Sequence, residues 1–351
     1  MMLKKLVPLF LCLCLILSGV GCGKKTEDLS VDKGDEPSAP VEVESEPEPV
    51  MGVNPLTGLS DISPETAKQR PVAIMVNNIS VAQPVQTGLN KADIIYETEV
   101  EGGITRLMAV FQDFSSVKKI GTIRSARYVY IDLALGHNAI YIHHGADMNY
   151  AYPYMVANTD RYEVHENNGG ARISNGKARE HTLYAYGDKV WKNILESDRE
   201  IENSKNAPWQ TFASEDAPVS FEKKATSVSV PFSGSYKTTF KYDAATGRYV
   251  RYFNGTERKD YVTGESVTVK NVFVLNTAMS HYPKVKYRKI SLESGNGYYF
   301  ANGTYTKITW SKGAGSKSFV FKDMKGNALT VNPGNSWVCI ADKNSSQPVI
   351  E

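Results

Sequence analysis

An α+β fold is predicted, with an N-terminal mixed α/β part packed with a C-terminal, mostly antiparallel β part of sandwich or barrel type. Three observations carry this. Between Asn54 and about Ser197, short β-rich runs interleave with segments of helical periodicity. From about Val219 the helical signal is lost, and β-rich runs follow one another with turns roughly every 8–12 residues. Aromatic residues make up 10% of the 351 residues, with 20 tyrosines among them, enough to fill a large core. The expected division is a leader over residues 1–22, an acidic tether over 23–53, a mixed α/β domain over 54–205 and a β-rich domain over 206–351.

Taken in order, Pro71–Asn78 (PVAIMVNN) is a β-rich run ending in a polar pair. Ala92–Val100 and Ile104–Phe114 read as two strands joined by a hairpin turn at Gly102–Gly103. Ser125 is placed to cap a helix running to about Leu135. Ala139–Ala146 (AIYIHHGA) reads as a buried strand with a polar end, and Met148–Asn158 as a short helix begun or broken near Pro153. Thr182 is placed to cap a further helix, with Leu183, Val190, Ile194 and Leu195 approximating one apolar face. The later runs include SVSVPF, TTFKYDA, RYVRYF, SVTVKNVFVL, GYYFAN, YTKITWS, SFVFKD and SWVCIAD, separated by turns such as Asn254–Gly255 and Asn302–Gly303.

The N-terminus bears on location. Lys4 and Lys5 precede the apolar run Leu6–Leu17, which is short for a membrane span; small residues and Cys22 follow. Gly21 before Cys22 suits lipoprotein processing, so Cys22 is expected to carry a lipid that holds the chain at the outer face of the cytoplasmic membrane. Ser30–Val50 is rich in Glu, Asp, Pro and Ser, and such a segment buries too little apolar surface to fold. With Cys12 and Cys14 in the leader, Cys339 is the one cysteine left to the body, which excludes an intramolecular disulfide there. A net charge of +2 and the expected compartment argue against a nucleic-acid partner.

The stretch IGTIRSAR (Ile120–Arg127) places two cations, Arg124 and Arg127, at a predicted helix start, where the helix dipole is already positive. Such guanidinium groups beside free backbone amides suit a phosphate or carboxylate. Arg106 and Arg179 are proposed as companions, and the alternative is ion pairing with Glu97, Glu101 or Asp132. In IHHGAD, the adjacent His143 and His144 point to opposite faces of a strand, so one metal cannot take both without a break. His143, Asp147, His181 and Glu101 are expected as supporting polar groups, with His165 a further imidazole in reach, and neither metal nor cofactor is expected. Cys339 reads as a structural thiol, and no GxSxG, SxxK or HExxH pattern is present.

The stretches NPLTGL (Asn54–Leu59), RPVAIMVNN (Arg70–Asn78), ADIIYETEVEGGITRLMAVF (Ala92–Phe111), IGTIRSAR, IDLALGHNAIYIHHGAD (Ile131–Asp147), AREHTLY (Ala178–Tyr184) and NPGNSWVCI (Asn332–Ile340) carry a resemblance. The chain resembles the YerB-like lipoproteins of Gram-positive bacteria, a family of unknown function with N- and C-terminal parts. That resemblance implies a lipid-anchored envelope protein with a two-part body, and no reaction. The first functional expectation is a binding or scaffold protein for a cell-wall enzyme or wall polymer. The alternative is a phosphate- or pyrophosphate-binding enzyme acting on envelope polymer precursors. The layout from Ala92 to Arg127 is similar to that of wall-polymer phosphotransferases of the LytR–CpsA–Psr type, which hold pyrophosphate on an arginine-bearing loop. Under that likeness Glu101 or Asp132 would hold a divalent ion.

Overall fold

The computed structural model describes residues 50–205 and 207–351. The leader, Cys22 and almost all of the expected tether lie outside the described residues.

The main architectural element is one mixed sheet of eleven strands. The N-terminal half supplies β1 (Val72–Asn77), β2 (Ile94–Glu99), β3 (Thr105–Phe111), β4 (Ile140–His143) and β5 (Arg161–Glu163). The C-terminal half supplies β6 (Lys223–Lys224), β10 (Asn271–Thr277), β11 (Ser294–Ala301), β12 (Thr304–Ser311), β13 (Val320–Asp323) and β14 (Ser336–Asp342). The order is β6-β12-β11-β10-β14-β2-β3-β1-β4-β5, with β13 beside β12. A second sheet is built on β7 (Ser227–Ser233), β8 (Tyr236–Asp243) and β9 (Arg248–Phe253). Among the described residues, four α-helices, α1 (Pro64–Ala67), α2 (Tyr128–Gly136), α3 (Ala151–Asn158) and α4 (Gly187–Leu195), complete the α+β class.

The expected boundary at 205/206 does not separate two folded bodies. Strand β14, from the far end of the chain, is inserted between β10 and β2, and both of its pairings are parallel. The physical reason is visible in its sequence. SWVCIAD and NVFVLNT are buried along their whole length rather than alternating, as strands covered on both faces must be. The later half is therefore antiparallel at its edge and in its second sheet, and parallel where it meets the earlier half.

Strand β1 shows how the two faces are filled. Val72, Ile74 and Val76 pack with Val190, Trp191 and Ile194 of α4 and with Val228, Val230 and Phe240 of the second sheet. Ala73 and Met75 enter the opposite cluster with Val129, Ile131 and Leu133 of α2, Met155 of α3, and Trp209 and Phe321. Each fully buried aliphatic side chain in these layers contributes about 1.5–3 kcal/mol of transfer free energy.

The β2–β3 hairpin forms as expected. Gly102 and Gly103 adopt positive φ values of 60° and 76°, which a residue with a Cβ rarely adopts. Two helix starts differ from expectation. Helix α2 begins at Tyr128 after Arg127, not at Ser125, because Ala126 donates its amide to Gly145 O and Arg124 donates to Met75 O. That backbone is committed to sheet-like pairing. Thr182 precedes a short strand, Leu183–Ala185, which pairs with Ile120–Gly121 and Gly170–Arg172. The helix follows at α4, where Val190, Trp191 and Ile194 are buried and Leu195 is exposed.

Candidate functional site

Strands β10, β14, β2, β1, β4 and β5 run in one direction, so Thr277, Asp342, Glu99, Asn77, His143 and Glu163 all lie at one end of the sheet. Ligands of open α/β sheets gather at such carboxyl ends. Strand β3 runs the other way and brings Arg106 to the same end, opposite Asn77 and Thr98.

The stretch Thr122–Ala126 fills a gap that opens there. Strands β1 and β4 pair from Val72↔Ile140 to Ile74↔Ile142 and then part. Asn77 donates to Thr122 O at 2.8 Å, Arg124 donates to Met75 O at 3.1 Å, and His144 donates to Arg124 O at 3.1 Å. Gly145 permits this approach: its φ is 75°, and a Cβ there would stand 3.1 Å from Ser125 Oγ.

The four arginines singled out by sequence fall into three situations. Arg106 and Arg127 share one carboxylate. Arg127 donates from Nε to Glu101 Oε2 at 2.8 Å and from Nη2 to Oε1 at 2.5 Å, and Arg106 Nη2 lies 3.4 Å from the same Oε1. Arg106 also donates to Ser125 O at 2.7 Å, which ties β3 to the inserted loop. Burial and the neighbouring Arg127 charge push the Arg106 guanidinium down, partly offset by Glu101. Burial would also lower Arg127, but the Glu101 hydrogen bonds and charge outweigh it and hold Arg127 up. Glu101 in turn, though raised by burial, is held below the usual range by Arg127, Arg106 and Arg124.

Arg124 is about a quarter exposed and, among the described residues, pairs with the exposed Glu180 at 3.6 Å. Its Nε is buried and has no hydrogen-bond partner among the described residues. Arg179 joins a different group: its side chain is 76% exposed and lies 3.3 Å from Glu166. The cation at the start of α2 is thus paired with Glu101.

The supporting polar groups also separate. Asp147 accepts the amides of Asn149, Tyr150 and Ala151 at 3.0, 3.2 and 3.0 Å and so anchors the start of α3. His143 donates from Nδ1 to Gly145 O at 2.9 Å, and burial pushes its pKa down to about 4. His181 pairs with Asn77 Nδ2 at 2.9 Å through Nδ1 and lies 3.1 Å from Glu180 through Nε2. Asp132 accepts from Tyr154 Oη at 2.8 Å and from the Gly315 amide at 3.0 Å. Cys339 is fully buried, and burial with the Glu97 charge pushes its thiol well up.

Several residues at this end carried no signal in the sequence. A narrow crevice, with room for about one water, runs between Glu99, Arg127, Tyr128, Asp147, Tyr282, Tyr287 and Arg288. Its outer wall comes from the hairpin Met279–His281/Arg288–Ile290, whose Arg288 donates its amide to Val100 O at 2.7 Å and its Nη2 to Glu99 Oε2 at 2.7 Å. Tyrosine rings line this edge. Tyr150 stacks on Tyr282 at 4.2 Å and Tyr128 on Tyr154 at 4.4 Å, while Arg127 lies over Tyr287 at 5.4 Å. The Tyr150–Tyr282 and Arg127–Tyr287 contacts cross well over a hundred residues of sequence, so only the fold brings them together.

Deeper in the sheet, Glu97 accepts from Asn78 Nδ2, Thr105 Oγ1 and Thr238 Oγ1, each at 2.9 Å, and from Trp337 Nε1 at 3.1 Å. Arg251 stacks over Trp337 at 4.6 Å and donates to Asn78 Oδ1 at 3.1 Å. The Asn77–Asn78 pair that ends β1 was the visible trace of this network.

The chain matches two family models, the "Protein of unknown function (DUF3048) N-terminal domain" over residues 56–210 and the corresponding C-terminal domain over residues 228–338. It is 30% identical over 302 residues to a Bacillus subtilis (strain 168) protein named "Putative lipoprotein YerB", covering 82% of this chain and 85% of that one. It also matches the crystal structure of YerB protein from Bacillus subtilis with a TM-score of 0.71 and 26% identity, over 84% of this chain and 98% of the other.

Proposed function

The chain belongs to the DUF3048 family of proteins of unknown function, and we propose that it is a membrane-tethered envelope protein that binds the glycan of a wall polymer. The tether rests on the name of its relative, a lipoprotein, together with the Gly21–Cys22 pair. A lipid on Cys22 would hold the body at the outer face of the cytoplasmic membrane.

The observation that carries the glycan reading is the surface edge where Arg127 and Arg288 adjoin the half-buried rings of Tyr128, Tyr150, Tyr282 and Tyr287. Both guanidinium groups are matched by carboxylates, Glu101 and Glu99. Such a surface offers fixed donors and acceptors with little bare charge. A sugar ring suits it, with hydroxyls for the ion pairs and a C–H face for the phenol rings.

The second reading, an enzyme that binds phosphate or pyrophosphate on envelope polymer precursors, draws support from Arg124, with its weak ion pair and unsatisfied Nε. One experiment separates the two. Full-length protein in detergent is sedimented with purified wall sacculi and, separately, titrated with a polyprenyl diphosphate. Co-sedimentation lost in Y128A/Y282A but retained in R124A supports glycan binding. Diphosphate binding lost in R124A, with no affinity for sacculi, overturns it in favour of the enzyme. Crosslinking to one wall enzyme without glycan affinity overturns it in favour of a scaffold.

A further inference from the structure

We propose a second site, for a divalent transition-metal ion of the zinc class, made by His144 Nε2, the Glu163 carboxylate and a His165 ring nitrogen. One ligand atom from each of the three lies within 4.8 Å of the others, and all three residues are half-buried. Donors bound tetrahedrally to Zn²⁺ at ordinary bond lengths stand about 3.3 Å apart. Small side-chain rotations therefore close the set.

The backbone explains the convergence. Strands β4 and β5 are parallel with His143 opposite Glu163. Regular pleating would send His144 away from Glu163, but β4 ends at His143, and the His144 amide turns to pair with Arg124 O. Glu163 and His165, two residues apart on an extended segment, already share a face. The strand ends between the two histidines, so the set takes His144 and leaves His143 bonded to Gly145 O. Asp147 and His181 are both engaged elsewhere.

The surrounding contacts match what a metal ligand needs. His144 donates from Nδ1 to Val164 O at 2.8 Å, which fixes the tautomer and leaves the Nε2 lone pair available, as outer partners of metal-bound histidines do. Glu163 is oriented by the Gly145 amide at 2.9 Å. The His165 ring packs edge-on against His144 at 5.1 Å. Two imidazoles and one carboxylate form a borderline-soft donor set with room for a water or substrate ligand.

One group competes for the site. Arg172 Nη2 lies 3.1 Å from His144 Nε2, so a guanidinium N–H occupies the lone pair the metal would take. Arg172 is also held by Glu166 at 2.9 Å and donates to Arg179 O at 2.7 Å. Metal entry requires its Nη2 to swing aside toward Glu166.

The test is calorimetric titration of untagged, chelator-stripped full-length protein in detergent with Zn²⁺ alone. One ion per chain is expected. Affinity should fall about tenfold or more in H144A, E163Q and H165A, and rise severalfold in R172A as the competing cation is removed. H281A, on an exposed histidine elsewhere, should behave as wild type. Absence of saturable binding, binding that survives in H144A/H165A, or loss in H281A would overturn the site. Should a variant be poorly folded, a Zn²⁺-induced rise in the wild-type melting temperature that is retained in H281A and enlarged in R172A supports the site independently. A rise lost in H281A, or no rise, counts against it.

Discussion

Glu97 and Glu101 lie four residues apart at the end of one hairpin strand, each with arginine nearby, yet they do different work. Glu97 is fully buried and takes its hydrogen bonds from neutral donors, two of which, Thr238 and Trp337, come from the C-terminal half. Its cation, Arg251, is equally buried and stacked on Trp337. Glu101 lies near the surface and takes its bonds from two guanidinium groups of its own half. The first arrangement links the two sheets through hydrogen bonds from Thr238 and Trp337 to one carboxylate. The second steadies the rim of the crevice: Glu101 and Arg127 stay partly exposed, while Arg106 is buried behind them. A carboxylate–arginine neighbourhood is therefore not one kind of feature: burial and the donor set decide whether it serves the core or a site.

The comparison can be broken most severely at Glu97. Glu97→Ala should destabilise by about 3–5 kcal/mol, since it leaves Arg251 buried without its counter-charge and several donors unsatisfied. Urea unfolding followed by tryptophan fluorescence reads this directly. In a double-mutant cycle with Arg251→Met, the pair should cost clearly less than the sum of the singles; simple additivity would show that the two do not communicate.

Glu101→Gln should cost about 1–3 kcal/mol at neutral pH, because the buried Arg106 loses its charged partner. Its sign with pH follows from the lowered Glu101 pKa. A depressed folded-state pKa gives stability that is fully present above the unfolded value, about 4.3, and is lost as pH falls through the folded one. Wild type should lose its margin over Glu101→Gln below about pH 4, and denaturation midpoints across that range check it. Arg124→Ala should cost roughly 0–1 kcal/mol, as expected of a loose pair with an exposed carboxylate. Arg179→Ala, on the exposed side chain, should leave the melting temperature within experimental scatter; a drop as large as that of Glu101→Gln would mean the rim is more tightly coupled than its contacts imply.

Legibility in the sequence followed locality. The strand VAIMVN, the Gly102–Gly103 hairpin and the succession of later β runs were readable because periodicity and turn chemistry act over a few residues. The start of α2 was misplaced because Ser125 is a good cap by type, while long-range pairing of Ala126 with Gly145 had already used the backbone. The arginines stood out in the sequence, but their grouping was not readable. Arg106, Arg127 and Glu101 meet across a hairpin and an inserted loop, and Arg179 lies with Glu166. Tyr282, Tyr287 and Arg288 gave no signal at all, since a short exposed hairpin looks alike wherever it folds back.

The sequence by itself determined the α+β class, the alternation of elements and the charged residues from which a site had to be drawn, because these depend on local propensity and composition. The tertiary structure alone decided that SWVCIAD joins the two halves in one sheet and that His144 turns toward Glu163 and His165. It alone decided that the two cations of IGTIRSAR part company, one clamped by Glu101 and one left at the rim. Each of those outcomes is a contact between segments far apart in the chain, and side-chain chemistry acquires direction only once the backbone that carries it has been placed.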